Sequence, residues 1–233
     1  MTNTNIVFGI TGMPGSGKSL ITKLFNNSFG VKIESDKIGH EVLKSNDVIN
    51  ELVTVFGDGI LDNKKIDRKA LASVAFDPIQ IQTLNKICHP KIKMIISEKI
   101  KEELPLGAFY IIEIPLLFES GFDDICDFTI CVDTDFETRL NRVKLQRNWS
   151  ENELRKRDSC QNEDLKKNTS DFLINGARSL KYIEKELNHL VIAFRYHSTL
   201  WLNEKKTVES IKEFYEKLSW DSTLLKFNEY ANR

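Results

Sequence analysis

The sequence predicts an α/β protein whose core is a doubly wound sheet of five parallel strands. Five short apolar runs rich in β-branched residues supply the strands, at residues 6–11, 31–34, 110–114, 128–133 and 172–175. Each run is nearly continuous rather than alternating, as expected for parallel strands that are buried on both faces. Helical patterns separate the runs, and this alternation of strand and helix is typical of doubly wound folds.

Two stretches between the predicted strands carry helical periodicity. In residues 37–56 and in residues 180–194, apolar side chains recur every three to four positions, which places them on one face of a helix. A third helical stretch, residues 80–104, contains Pro90. Because proline lacks an amide hydrogen, we expect one helix to end just before Pro90 and another to begin there.

Two connections between the strands are long enough to hold insertions. Residues 37–105 predict a helical subdomain, since one crossover helix needs far fewer residues. A second insertion spans residues 136–167. Within it, Ser150 and Glu153 form an S-x-x-E capping box, which predicts the beginning of a helix.

The last part of the chain, residues 196–233, predicts a C-terminal helical extension. Val208, Ile211 and Leu218 recur at helical spacing, and Trp220 adds apolar area. We expect this extension to pack on the core. A surface for a partner or for a second copy is the alternative interpretation.

Composition and charge exclude several classes of protein. The 233 residues are 41% hydrophobic and 29% charged, which is ordinary for a globular chain and excludes disordered and fibrous ones. The net charge of -1 gives no overall attraction to nucleic acid or anionic lipid, so neither is an expected partner. No apolar stretch approaches the ~20 residues that span a bilayer, and the first residues lack an apolar signal segment. We therefore expect a cytoplasmic protein, as a monomer or a weak homo-oligomer.

The cysteines do not indicate a metal or redox site. The chain has four cysteines, at positions 88, 126, 131 and 160, and no two of them form a C-x-x-C pair. They predict reduced thiols that fill apolar space.

The strongest chemical signal is a glycine-rich loop between the first predicted strand and the helical run that follows it. Residues 12–19 read G-M-P-G-S-G-K-S and match the phosphate-loop pattern G-x-x-x-x-G-K-[ST]. Backbone amides of such a loop surround phosphate oxygens at a helix N-terminus, while Lys18 would reach the β- and γ-phosphates and Ser19 would ligate Mg²⁺. The sequence therefore predicts a P-loop NTPase-type fold. The residues expected to bind the nucleotide are Gly12, Pro14, Gly15, Ser16, Gly17, Lys18 and Ser19.

Two acidic residues are candidates for the chemistry of phosphoryl transfer. The guanine-specific pattern N-K-x-D is absent, which favours a small-molecule kinase over a GTPase. Asp36 follows the second predicted strand, where ligands of open α/β sheets bind, and it could orient an attacking hydroxyl and accept its proton. A helix N-cap is the alternative role for Asp36. Glu113, in the third strand, is a candidate to hold a Mg²⁺-bound water, with an ion pair in the core or at the strand end as the alternative.

Positive charge is concentrated in residues 139–157. Seven basic residues stand there against two acidic ones, a local net charge of +5 in a chain of net charge -1. Arginines that close over a triphosphate would neutralise the transferring phosphoryl group and exclude water, so this segment predicts a helical lid over residues 136–167. A solvated basic helix face is one alternative. A nucleic-acid patch is the other, although Trp149 is the only aromatic residue there that could stack on bases.

Several separated motifs accompany the phosphate loop. They read I-E-S-D at 33–36, I-D-R-K-A-L at 66–71, L-N-K-I-C-H-P at 84–90 and P-L-L-F-E-S-G at 115–121. Over residues 6–195 the chain thereby resembles the dephospho-coenzyme A kinase family, which performs the last step of coenzyme A biosynthesis. The motif at 115–121 is the most specific of the set, because few other phosphate-loop kinases would carry it.

That resemblance implies transfer of the γ-phosphate of ATP, with Mg²⁺, to the ribose 3′-hydroxyl of dephospho-coenzyme A, giving coenzyme A and ADP. It also implies a nucleotide-binding core formed by residues 1–36, 106–135 and 168–195, with residues 37–105 as the acceptor-binding subdomain. Small-molecule substrates are therefore the expected partners. One alternative is a P-loop kinase of another nucleotide or small metabolite, and another is a nucleotide-regulated binding module.

The resemblance also implies roles for individual residues. The catalytic set is Lys18, Asp36 and Arg142, and Arg147 and Asn175 join the loop in binding ATP. The acceptor-binding set is Asp36, Arg68, His89, Pro115, Leu116, Leu117 and Glu119. Two departures affect the ATP site: the family often spaces its lid arginines as R-x-x-x-R, whereas Gln146 occupies the fourth position after Arg142, and Asn175 stands in I-N-G where the family has I-D-N.

Overall fold

The chain divides into two compact units. In the computed structural model, the first unit comprises Met1–Ile33 and Glu103–Arg233, and the second comprises Glu34–Glu102. The first unit holds the large sheet, and the second is mainly helical. The structure describes residues 5–26, 30–75, 78–105, 108–204 and 225–227.

A six-stranded sheet forms the centre of the first unit. Its strands, in spatial order, are β2 (Gly30–Ile33), β5 (Phe109–Glu113), β1 (Ile6–Gly12), β6 (Phe128–Asp133), β7 (Phe172–Asn175) and β8 (Leu225–Phe227). The first five are parallel, which confirms the predicted α/β fold with a five-stranded parallel sheet. The loop that follows β1 begins at the carboxyl edge of the sheet. Because β1 lies between β5 and β6 and is parallel to both, this loop is beside the carboxyl ends of both neighbouring strands.

Helices cover this sheet. They are α1 (Lys18–Asn26), α6 (Phe136–Arg147), α7 (Glu151–Asp158), α8 (Glu163–Thr169) and α9 (Leu180–Glu204), with a short 3-10 helix at Asp123–Ile125. Two of them, α1 and α9, correspond to the helical run predicted after the phosphate loop and to the one predicted over residues 180–194. The capping box is confirmed at the beginning of α7. There Glu153 N–H donates to Ser150 Oγ at 3.2 Å, and Ser150 N–H donates to Glu153 Oε2 at 3.0 Å.

Aromatic packing holds the core of the first unit together. A cluster of phenylalanines links α1 to the sheet, with Phe8 at its centre: its ring lies 5.2 Å from that of Phe109 and 5.6 Å from that of Phe128. The face of α9 adds buried Ile183 and Leu187 to the same cluster. Burial of large apolar side chains is the main stabilising term of such a core, at about 1.5–3 kcal/mol per side chain.

The described part of the C-terminal extension contains a strand. Residues 225–227 form β8, an edge strand antiparallel to β7, which the prediction of a helical extension did not include. Pairing with β7 supplies backbone hydrogen bonds that local helical propensity does not take into account. The predicted amphipathic helix over 208–218 lies outside the described residues.

The second unit contains four helices and a hairpin in its described residues. They are α2 (Ser35–Val42), α3 (Asn46–Phe56), the 3-10 turn Asp58–Ile60, β3 (Leu61–Asp62), β4 (Lys65–Ile66), α4 (Arg68–Val74) and α5 (Pro78–Lys99). Helix α5 packs against both α2 and α3. Asn63 and Lys64, with φ angles of 47° and 63°, form the two-residue turn of the hairpin, in the left-handed conformation that a type I′ turn requires.

Two helix predictions in this unit are wrong. The stretch 37–56 is two helices rather than one, because the chain turns at Ser45, whose hydroxyl donates to the carbonyl of Val42 at 2.7 Å. Helix α5, by contrast, continues through Pro90. The proline removes one intrahelical hydrogen bond, and burial of Cys88 and Ile96 on either side of it stabilises the continuous helix.

Candidate active site

The glycines of the phosphate loop adopt backbone conformations that other residues reach only with strain. Gly12, Gly15 and Gly17 have φ angles of 145°, 78° and 106°. A Cβ atom on Gly15 would lie 2.8 Å from a methyl carbon of Val143, so there is no room for a side chain either. Helix α6, which carries Val143, therefore packs directly on the loop.

Lys18 places its ammonium group inside the curve of this loop. Its Nζ donates to the carbonyl oxygens of Gly12 at 2.8 Å and of Met13 at 3.0 Å. Burial lowers the pKa of Lys18 to about 8, and the carboxylate of Glu113 opposes that shift. The ammonium is thus held by two neutral carbonyl groups at the N-terminus of α1, where phosphate oxygens would be stronger partners.

Ser19 and Glu113 come together at the beginning of α1 and the end of β5. The Ser19 hydroxyl donates to Glu113 Oε1 at 2.9 Å, and the Thr22 hydroxyl donates to Oε2 at 3.2 Å. Lys32 Nζ lies 4.0 Å from the same carboxylate, so the ion pair named as the alternative is also present. A hydroxyl and a carboxylate side by side are oxygen donors of the kind that Mg²⁺ prefers, and these residues fit that ion.

Arg142 connects the phosphate loop to the segment that follows β7. Its guanidinium donates to the carbonyl oxygen of Ser16 at 3.0 Å and to that of Gly176 at 2.6 Å. The approach is close enough that a Cβ atom on Gly176 would lie 2.5 Å from the Ser16 carbonyl oxygen. The neighbouring Asn175 is exposed, and its Oδ1 accepts the N–H of Ala177 at 2.9 Å. The structure therefore brings Arg142 to the loop, and Asn175 directly precedes the glycine whose carbonyl Arg142 contacts.

Other lid arginines have partners within the lid, and one of them, Arg139, also contacts the phosphate loop. Arg139 is 2% exposed and donates to both carboxylate oxygens of Asp158, at 2.9 and 3.0 Å, and to the carbonyl oxygen of Pro14 at 3.2 Å. Arg147 lies over the ring of Trp149 at 4.8 Å, and Arg157 over the same ring at 4.0 Å. Arg139 thus joins α6 to α7, and Trp149 holds two exposed arginines close together.

The segment 115–121 follows Glu113 directly, and its residues have different environments. Pro115 is exposed, Leu116 is half-buried and Leu117 is fully buried. Glu119, predicted to bind the acceptor, forms a 2.6 Å ion pair with Lys166. Sequence reasoning missed Lys166, since a lysine in a polar helix such as α8 gives no signal that it is buried.

The remaining predicted acceptor residues lie in the second unit. Asp36 is exposed in the first turn of α2, which begins at Ser35, so the alternative role of Asp36 as the helix N-cap is wrong. Arg68 is the exposed first residue of α4, after the capping residue Asp67. His89 lies in α5, and burial lowers its pKa, which favours the neutral imidazole.

Comparison with known proteins decides the family. The family described as dephospho-CoA kinase matches residues 6–181 of this chain. The chain belongs to the dephospho-CoA kinase family. The matched range includes the phosphate loop, the whole second unit and the lid.

Individual dephospho-CoA kinases show the same relationship over most of the chain. The enzyme of Fusobacterium nucleatum is 37% identical over 141 residues, which are 59% of this chain and 72% of the relative. That of Bacillus licheniformis is 30% identical over 192 residues, covering 80% of this chain and 95% of the relative. Among solved structures, the Thermus thermophilus protein TT1252 is similar with a TM-score of 0.67 and 28% identity, over 81% of this chain and 97% of that one. The dephospho-CoA kinase of Campylobacter jejuni aligns with a TM-score of 0.51 and 26% identity, over 82% of this chain and 98% of that one.

The four cysteines are free thiols, and three of them are buried. Those three are Cys88, Cys126 and Cys131, and Cys160 is half-buried. Burial raises the pKa of Cys131 to about 12, so its thiol stays protonated at neutral pH. Within the described ranges, no group of three or more histidine, cysteine, aspartate or glutamate side chains is placed to hold a metal ion. None of the helices described has the length and apolar character needed to cross a membrane.

Proposed function

We propose that this chain transfers the γ-phosphate of ATP to the ribose 3′-hydroxyl of dephospho-coenzyme A, giving coenzyme A and ADP. The observation that carries the proposal is the continuity of two elements at one strand end. Glu113, beside Ser19 of the phosphate loop, is followed after one residue by the family-specific segment 115–121. Glu113 thus lies beside the phosphate loop, and the segment that distinguishes this family from other kinases begins two residues later. Because both follow from the end of β5, their positions are fixed relative to each other.

Residue roles on the ATP side follow from contacts within the first unit. Lys18 exchanges the loop carbonyls for phosphate oxygens, and the loop amides bind the β-phosphate at the N-terminus of α1. Arg142, fixed at Ser16 and Gly176, contributes positive charge at the edge of the loop, and we assign Arg147 of the lid to the phosphates as well. Asn175 is assigned to the adenine side.

We assign a divalent cation, Mg²⁺, to the Ser19 and Glu113 pair. When bound there, Mg²⁺ would neutralise charge on the phosphate oxygens. Ser19 would ligate it directly, and Glu113 would hold one of its waters. Changing Glu113→Gln should raise the Mg²⁺ concentration needed for half-maximal turnover about tenfold or more, because removing a charged partner weakens a metal site. Glu137→Gln, an exposed change on α6, is the control that should leave the requirement unaltered.

On the acceptor side, Asp36 orients the attacking 3′-hydroxyl and accepts its proton. Arg68, His89 and the accessible part of segment 115–119 bind the rest of dephospho-coenzyme A, and we assign residues 37–105 as the acceptor subdomain. Asp36 is exposed, so its carboxylate is accessible to an incoming hydroxyl. Asp36→Asn should lower kcat by about 100-fold with a smaller change in the acceptor KM, whereas Asp62→Asn should do neither.

An assay of ADP release with ATP and Mg²⁺, with and without dephospho-coenzyme A, tests the reaction itself. We expect ADP to form only with the acceptor, and mass spectrometry should find one coenzyme A for each ADP. Acceptor-independent ADP, or a phosphorylated product other than coenzyme A, would refute the proposed reaction. ATP binding without turnover of any acceptor would favour a nucleotide-regulated binding module.

A further inference from the structure

Lys166 is a buried cation that the reaction described above does not use. Its side chain is 0% exposed, and its ammonium donates to Glu119 Oε1 at 2.6 Å and to the backbone carbonyl of Pro115. Burying an ammonium group costs free energy that a single ion pair rarely more than offsets. Stability alone is therefore a weak explanation for a lysine at this position.

One contact of Lys166 fixes the beginning of the segment that follows β5. The Pro115 carbonyl oxygen accepts a second hydrogen bond from the hydroxyl of Thr11 at 3.1 Å. Thr11 directly precedes Gly12, the first residue of the phosphate loop. In addition, Ile114 N–H donates to the carbonyl oxygen of Ile10 at 3.0 Å. The beginning of the segment is thus held against the end of β1 from two directions.

The other contact of Lys166 fixes the far end of the same segment. Glu119 Oε1, the partner of Lys166, also accepts the backbone N–H of Asn162 at 3.0 Å. Asn162 in turn caps α8, since its Oδ1 accepts the N–H of Leu165 at 2.9 Å. One ammonium group therefore connects both ends of residues 115–119 to the first turns of α8.

We propose that Lys166 is a positioning residue that holds residues 115–119 in the shape that binds the acceptor. Within this segment Leu117 is buried, while Pro115 is exposed and Leu116 is half-buried. The two contacts of Lys166 therefore fix the ends of a segment that has a short accessible stretch. Glu119 acts as the counter-ion of Lys166. The inference rests on the proposed function in one respect, namely that this segment contacts dephospho-coenzyme A.

Steady-state kinetics of Lys166→Met test the positioning role. We expect the KM for dephospho-coenzyme A to rise about tenfold and the KM for ATP to stay within about twofold, because misplacing a binding segment weakens only the substrate that it contacts. Lys167→Met is the matched control: Lys167 is next in the same helix, and its ion pairs with Asp133 and Glu163 are at the surface. It should change neither KM.

A second variant separates positioning from stability. Lys166→Met alone leaves Glu119 without its cation, whereas Lys166→Met with Glu119→Gln removes both charges and should recover most of any lost stability. The positioning role predicts that the double variant keeps the raised acceptor KM, because the Pro115 carbonyl still lacks the ammonium. A double variant with normal stability and a normal acceptor KM would overturn the proposal.

Leu116→Ala distinguishes failure of the inference from failure of its premise. This change removes an accessible side chain of the segment and leaves every contact of Lys166 in place. If it raises the acceptor KM while the Lys166 variants do not, the segment binds the acceptor but Lys166 does not position it. If neither Leu116→Ala nor the Lys166 variants change the acceptor KM, the proposed contact is wrong and the positioning role is refuted with it, although the reaction measured with the unaltered chain would stand.

Discussion

The phosphate loop and the lid are both positively charged regions of the first unit, and they use their charges differently. In the loop, the one cation among residues 12–19, Lys18, points at backbone carbonyls that phosphate oxygens can replace. In the lid, Arg139 is paired with Asp158 and Arg142 binds the loop backbone, while Arg147 and Arg157 flank one tryptophan. The net charge of the lid therefore overstates the positive charge that it presents, whereas the loop cation has neutral carbonyl groups as its hydrogen-bond partners.

The difference arises from how each region is encoded. The loop is contiguous, so the spacing of its residues in the sequence determines their spacing in space. The lid arginines are distributed over two helices and the turn between them, and an acid one helix away can bind one of them first. Arg139, for example, finds its carboxylate 19 residues later in the chain. A local charge of +5 is thus an upper limit on the charge offered to a ligand.

The largest effect should follow loss of the loop cation. Lys18→Ala removes the ammonium group that stabilises charge on the transferring phosphoryl group, so kcat/KM should fall by about 10³-fold without loss of folding. Steady-state turnover together with thermal unfolding measures both. Lys23→Ala, an exposed lysine in the last turn of the same helix, should be nearly neutral. Comparable losses in the two variants would mean that α1 contributes only a general positive field.

A stability effect should be largest for the buried lid arginine. Arg139→Met leaves the carboxylate of Asp158 without its partner, and we expect the free energy of unfolding to fall by about 3 kcal/mol. Urea unfolding measures this loss. The fall in kcat/KM, measured where the variant is fully folded, should be smaller than that of Lys18→Ala. A large catalytic defect with unchanged stability would place Arg139 on the substrate and remove the contrast between loop and lid.

Sequence patterns predicted those features whose residues are close in the chain. The five parallel strands, the phosphate loop and the capping box of α7 each depend on spacing within a few residues, and the structure has all of them. Patterns failed where packing decides: α5 passes through Pro90 because apolar contacts on both sides hold it. Lys166 was missed for the same reason, since its partner Glu119 is 47 residues earlier and no local pattern connects them.

A smaller effect is expected for an exposed lid arginine. Arg147→Ala should raise the KM for ATP about tenfold, because one charge-assisted contact to phosphate is worth roughly 1.5 kcal/mol or more. Lys144→Ala, exposed on the same helix, is the control and should have little effect. If both variants raise the KM for ATP equally, the lid acts through its net charge. If Arg147→Ala leaves the KM for ATP unchanged, Arg147 has no phosphate contact and only packs on Trp149.

The smallest effect is the pH dependence of ATP binding that the burial of Lys18 creates. Because its pKa is lowered to about 8, the ammonium is charged below that pH and loses its proton above it. Bound phosphates favour the charged form of Lys18, so ATP binding above about pH 8 is coupled to uptake of a proton by Lys18. The Kd for ATP should therefore rise by up to tenfold per pH unit in that range. Calorimetric titrations in buffers of different ionisation enthalpy should therefore detect proton uptake near pH 8.5.

Lys18→Arg is the control, because arginine keeps its charge throughout this range. Its Kd for ATP should not change with pH where that of the unaltered chain rises. An equally flat profile for the unaltered chain would show that the loop carbonyls keep Lys18 protonated despite its burial, and the loop would then resemble the lid in holding its cation by internal contacts.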